Sequence, residues 1–290
     1  MDALSFQLLF NGLVLGAGYG VLGLGFALTL RAAGAVNFAH GDVAAVAAYG
    51  GVTAVLFGAT GVLAVGVATL VGGALGLVVA AIAWAPLRQR PVESTFIAAI
   101  ALGIVAQNSL TVGFGGAPRA LPAILSGGWR LDGLYLSAHG IISLGMAIFA
   151  FTFTALLLLK SRFGMRLRAA AEDPEIAAAH GLPVIKLAIF AFVFAGILSG
   201  LAGAILSNQH YVTPAVGAIY ILKAYIAATA AGWGRIFPTA LIAVAIALFE
   251  TIGAALFSHA VAEGVLYLAF LTLLVFRPEG LAGDVRGRRV

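Results

Sequence analysis

The sequence predicts an all-α polytopic membrane protein with about eight to nine transmembrane helices, some of them short or broken, with the N-terminus outside and the C-terminus cytoplasmic. Three observations carry this reading. Apolar residues fill 62% of the 290 positions and charged residues only 9%, with a mean hydropathy of +1.09. A soluble domain could not cover itself with so little polar surface. The apolar runs are continuous, many of them about twenty residues long, and lack the alternation of a transmembrane barrel. Lastly, the basic residues gather on one side of the spans when these are alternated across a bilayer.

The opening MDALSFQLLFNG has no basic region, so it leads into a retained first span at about Phe6–Leu30 rather than a cleaved signal. Gly12, Gly16 and Gly20 form a small-residue ridge for close helix packing. A polar break, AVNFAHGD, precedes a short second span at about Val43–Phe57. The third runs at about Gly61–Ala83, with Trp84 at its boundary, and the fourth at about Ser94–Val112. A loop rich in Gly and Pro leads to the fifth, about Ala138–Leu159. The sixth lies at about Leu187–Ser207 and the seventh, short and holding Lys223, at about Ala218–Trp233. Arg235 and Pro238 open the eighth, to about Phe257, and the ninth is about Ala260–Phe276. The second and seventh are the candidates for broken or re-entrant segments.

Alternating these spans puts Arg31, Arg88, Arg90, Lys160, Arg162, Arg166, Arg168, Lys186, Arg235, Arg277, Arg286, Arg288 and Arg289 on one side. Only Arg119 and Arg130 fall on the other, and Lys223 lies within a span. The positive-inside rule makes the crowded side cytoplasmic. The net charge of +5 is explained by topology and does not point to nucleic acid.

The one long polar interruption is Lys160–Lys186. A short helix within it, Pro174–His180, has both ends marked. Asp173 suits the N-cap, Pro174 the first helical position, and Glu175 the positive end of the dipole. Gly181 suits a left-handed stop, and Pro183 blocks continuation. Two turns are marginal alone, so the helix makes most sense as something a partner docks on.

No catalytic or metal-binding constellation is present. There is no GxxxxGK[ST] phosphate loop, no HExxH and no cysteine, and the histidines stand at no ligand spacing to one another. No cofactor is expected. What remains are polar groups at membrane depth, which are expensive in lipid and mark candidate translocation-pathway residues: Asn37, His40, Asp42, Lys223 and Glu250. Each has a plainer alternative. The Asn37–Asp42 cluster suits a cap on the second span, Lys223 could snorkel to the outer interface, and Glu250 could pair with a donor on a neighbouring helix. Gln107 and Asn108 read as interhelical hydrogen-bonding groups.

Several segments carry a resemblance. Glu175-Ile176-Ala177, then three residues and Gly181, resembles the Glu-Ala-Ala-x-x-x-Gly coupling loop of ABC importer permeases, with Ile176 departing from the middle alanine. Asn37-Phe38-Ala39-His40-Gly41-Asp42 resembles a hallmark of the high-affinity branched-chain amino acid permeases. Lys223 followed by Gly232-Trp233-Gly234 and Pro238, and the closing FRPEGLAG, are similar to later segments of that family. The resemblance spans about Phe6 to Gly283.

It implies a single transmembrane permease domain over 1–290, with a cytoplasmic coupling loop at 160–186, in a bacterial inner membrane. It also implies that Arg168, Glu172, Asp173, Glu175, Ala177 and Gly181 serve ATPase coupling. The implied partners are two ATP-binding cassette subunits, a second homologous permease or a second copy of this chain, and a periplasmic substrate-binding protein. The expected function is ABC-type import of branched-chain or related amino acids. The same machine carrying urea, amides or other small organic solutes is an alternative. A secondary transporter using Asp42, Lys223 or Glu250 for ion coupling is an alternative of another class.

Overall fold

A computed structural model describes residues 3–131, 133–209, 211–281 and 283. Asp132, His210 and the terminal Arg286, Arg288 and Arg289 lie outside the described residues. The chain is mostly helical: α1 (Ala3–Ala33), α2 (His40–Leu56), α3 (Gly61–Val79), α4 (Val92–Phe114), α5 (Ala138–Ala155), α6 (Arg162–Glu172), α7 (Pro174–Ala179), α8 (Val184–Gln209), α9 (Val216–Ala231), α10 (Ile236–Leu256) and α11 (His259–Phe276). Widened turns, Ala80–Trp84 and Leu156–Lys160, extend α3 and α5. Small polar side chains start several helices. Thr60, Ser137, Ser161 and Ser258 each accept a backbone N–H at the start of α3, α5, α6 and α11.

Among the described residues, seven helices are long and apolar enough to cross a membrane: α1, α3, α4, α5, α8, α10 and α11. The expected second and seventh spans form the shorter α2 and α9, of 17 and 16 residues. α2 starts at His40, so His40, Gly41 and Asp42 make its first turn rather than the break before it.

The expectation of an all-α chain needs one correction. The loop before α5 holds a hairpin, β1 (Gly128–Leu131) and β2 (Leu134–Ser137), paired antiparallel. Gly133, at φ +88°, supplies its turn. Gln7 at the start of α1 ties β2 down: its Oε1 accepts the Tyr135 N–H at 2.7 Å, and its Nε2 donates to the Tyr135 carbonyl at 3.1 Å.

α1 and α8 are the most buried of the long helices, and α4 and α11 the least. Glycine sets how closely they meet. A Cβ on Gly12 or Gly16 would lie 3.3 or 3.2 Å from the Cα of Leu248 or Val244 on α10, and one on Gly20 would lie 3.0 Å from Val244 Cγ2. The predicted ridge therefore packs on α10. Across α3 and α8 the fit is reciprocal, since a Cβ on Gly72 would overlap the Gly196 carbonyl and one on Gly196 the Gly72 carbonyl. In lipid, where burial of apolar surface does not drive association, such backbone approach maximises packing.

Candidate functional site

Three polar groups stand out, two inside the bundle and one at its basic edge. The first interior one joins four helices. Lys223 of α9 donates to both carboxylate oxygens of Glu250 on α10, each at 2.6 Å, and to the Tyr19 hydroxyl of α1 at 2.9 Å. Its ammonium also lies 4.9 Å from the Tyr19 ring centroid. Lys223 and Glu250 are 3% and 4% exposed, so the pair is out of solvent contact. Glu263 of α11 lies 3.5 Å from the ammonium. His259, the first residue of α11, lies 3.6 Å from Glu250 and 3.9 Å from Glu263 and is mostly exposed. The assembly thus leads from the bundle interior to an open edge at the α10–α11 turn. Glu250, His259 and Glu263 bring their ligand atoms within 4.8 Å of one another, a spacing that suits a cation. The positive charge already held between the two carboxylates is the Lys223 ammonium.

Lys223 therefore does not snorkel to an interface, and Glu250 has its donor on a neighbouring helix. Tyr19, His259 and Glu263 were not singled out from the sequence. Glu263 was detectable, being an acid inside an apolar span. Tyr19, one aromatic in a glycine-rich run, carried no such signal.

The break between α1 and α2 forms a second interior group. His40 is buried, with its Nε2 3.2 Å from the Leu22 carbonyl oxygen and its ring against Gly25. Ser199 of α8 donates to the His40 carbonyl at 2.7 Å. The buried Asn37 Oδ1 has no hydrogen-bond partner among the described residues. Ala39 occupies the N-cap of α2 with no side-chain cap, which corrects the capping alternative for this cluster. Asp42 packs its half-buried carboxylate over Gly103 of α4 and Gly217 of α9. Among the described residues no hydrogen bond or ion pair links Asn37, His40 or Asp42 to the Lys223 assembly.

At the basic edge, α7 has the geometry its sequence predicts. Asp173 Oδ1 accepts the N–H of Glu175 at 3.1 Å and of Ile176 at 3.0 Å. Gly181 takes φ +77°, and the Leu182 N–H returns to the Ala177 carbonyl at 3.0 Å. Ala177 is buried and anchors the helix, whereas Glu175 and Ile176 are exposed. Arg162–Glu172, read from sequence as loop, is helix α6: Gly164, Leu167 and Ala170 form a buried stripe at helical spacing, with Arg162, Arg166 and Glu172 outside. Arg168 is half-buried.

Seven membrane-length helices, a buried charge assembly and an exposed capped helix between two of the spans define a polytopic membrane protein of the transport class. Residues 8–275 match the family described as the branched-chain amino acid transport system permease component, and the chain belongs to that family. Its relatives include the high-affinity branched-chain amino acid transport system permease protein LivH of Salmonella typhimurium, 28% identical over 96% of this chain and 95% of that protein. The corresponding permease protein BraD of Pseudomonas aeruginosa is 27% identical over the same shares. A probable LivH of Methanocaldococcus jannaschii is 27% identical over 91% of this chain and 88% of its own length. No solved structure matches.

Proposed function

We propose that this chain is the membrane-embedded permease subunit of an ABC importer. It would carry branched-chain or related amino acids across a bacterial inner membrane with energy from ATP hydrolysed by partner subunits. The observation that carries the reading is α7, a two-turn helix capped at both ends and exposed at Glu175 and Ile176, on a basic segment of a chain that has no phosphate loop of its own. The charge distribution supports a cytoplasmic α6–α7 segment, with the N-terminus outside and the C-terminus inside. Two ATP-binding cassette subunits dock on the coupling helices of the permease pair, in this chain on residues 160–186, with Arg168, Glu172, Asp173, Glu175, Ala177 and Gly181 forming or holding the docked surface. A second permease, homologous or identical, completes the membrane pair, and a periplasmic binding protein delivers the solute. The names of the relatives support the amino-acid cargo; urea, amides or other small organic solutes would suit the same machine. The whole of 1–290 acts as one permease domain.

The test is co-purification of the tagged chain from its native membrane, followed by vesicle uptake. Two phosphate-loop ATPases and a second permease in the complex, with uptake lost in E175A/G181A while membrane insertion persists, is the expected result. A second reading, ion-coupled transport, draws on the Lys223–Glu250 pair and on Asp42. Uptake that survives ATP depletion and collapses with an uncoupler would establish that reading instead.

A further inference from the structure

A cavity of about 230 Å³ opens where α1 and the extended α5 end and α10 begins, roofed by α6. Its polar wall holds three guanidinium-bearing side chains from three elements: Arg31 of α1, Arg168 of α6 and Arg235, which precedes α10. Among the described residues no carboxylate lies within ion-pair distance of any of them. Among the described residues Arg168 Nε is buried with no hydrogen-bond partner, and Arg235 Nε donates to the Gly283 carbonyl alone, at 3.2 Å. The first turn of α10, Ile236 to Pro238, lines the same space and contributes the positive end of a 21-residue helix. Three positive charges, an orphaned N–H and a helix N-terminus converge there, and among the described residues the one carboxylate that acts on Arg31 is that of Glu172, which stands beyond ion-pair distance. Such convergence calls for a ligand with several acceptor oxygens and net negative charge, which is the chemistry of a phosphate group.

The rest of the wall is apolar. Leu28, Leu158, Leu159, Ile236 and Phe237 line it, and Leu159 is 52% exposed on the flank of α5. The cavity sits where three membrane-length helices, α1, α5 and α10, reach the same edge. A soluble anion would have no use for this apolar wall, whereas a phosphodiester carrying acyl chains would place them along it. We infer that the Arg31–Arg168–Arg235 cavity binds the phosphate of an anionic phospholipid, holding the headgroup between α1, α6 and α10. Anionic lipids concentrate in the cytoplasmic leaflet, which agrees with the orientation proposed above. The bound lipid would brace α6, and so the α7 segment that follows it, against the spans.

The experiment uses the full chain, with any subunits that co-purify, in nanodiscs of phosphatidylethanolamine alone or mixed with phosphatidylglycerol. Lipids retained after mild detergent extraction are counted by native mass spectrometry. Thermal unfolding is followed in parallel, with inorganic phosphate as a separate arm. The wild-type chain is expected to retain phosphatidylglycerol preferentially and to gain thermal stability from it. R168Q and R235Q should each lower that preference about fivefold, the effect of one arginine near an anionic surface. R166Q, on the exposed face of the same helix, should leave it unchanged. R168K, which keeps the charge without the planar fork, should fall between. Equal retention of the two lipids, or R168Q behaving as R166Q does, would overturn the proposal. Inorganic phosphate reproducing the full stabilisation without lipid preference would overturn the lipid assignment in favour of a soluble anion. Lipid retention needs no transport, so it can fail or succeed independently of the importer reading.

Discussion

Lys223 and Glu250 stand 27 positions apart on different helices, yet the Lys223 ammonium lies equidistant, at 2.6 Å, from both oxygens of the Glu250 carboxylate. Neither residue has more than a few per cent of its surface exposed. In such a pair the attraction only offsets desolvation, so the penalty falls on whichever charge is left alone. Replacing Glu250 by Gln or Lys223 by Met should each destabilise the detergent-solubilised chain by about 3–5 kcal/mol. The double variant should be more stable than either single one. Thermal unfolding of all four proteins completes the cycle, and additive losses would refute the coupling.

Tyr19 donates nothing to the pair but accepts from it. Tyr19→Phe keeps the ring beside the ammonium and removes only the acceptor oxygen. The expected loss is about 1.5–3 kcal/mol, the range for a hydrogen bond to a charged group. No measurable loss would mean that the ring, rather than the hydroxyl, holds Lys223 in place.

Two glycines on α3 should respond oppositely to the same added methyl. Gly72→Ala drives a Cβ into the Gly196 carbonyl of α8, whereas nothing lies within 4 Å of a Cβ on Gly66. G72A should be destabilised by about 1–3 kcal/mol through overpacking. G66A should be neutral or gain up to about 1 kcal/mol from helix propensity. Melting temperatures of the two variants in the same detergent make the comparison.

On α7 the capping residues and the exposed face should separate folding from docking. Gly181→Ala forces a side chain into a left-handed conformation and should loosen the helix by about 1 kcal/mol, seen as faster hydrogen exchange over 174–182. Glu175→Gln touches neither the Asp173 cap nor the buried Ala177 and should leave exchange unchanged. If the face docks an ATPase, E175Q should still reduce ATP-dependent uptake.

The spans and α7 were legible because their signals are local. Apolar runs mark the helices, and Asp173-Pro174 and Gly181 with Pro183 mark both ends of α7 within a dozen residues. α6 was hidden because its buried stripe is only Gly164, Leu167 and Ala170, set among arginines that read as loop. The interior assembly was half legible. Lys223 and Glu250 each stand out as ionisable groups in apolar surroundings, but their pairing depends on how α9 and α10 cross, which no single segment encodes. Tyr19 and the arginine-lined cavity depend on the same kind of long-range packing. The weak apolar pattern around GWRLDGLYLS, lying between spans, concealed the hairpin.

The glycine seam between α1 and α10 has a mechanical consequence. Gly12, Gly16 and Gly20 bring the α1 backbone against Leu248 and Val244 with almost no side chain between them to absorb a displacement. The two helices are therefore expected to move together as one stiff beam. Ile236, at the arginine-lined end, and Glu250, at the buried pair, lie on it about 21 Å apart at 1.5 Å per residue. On that expectation, a tilt imposed at one end would arrive at the other as leverage on the Lys223 contact.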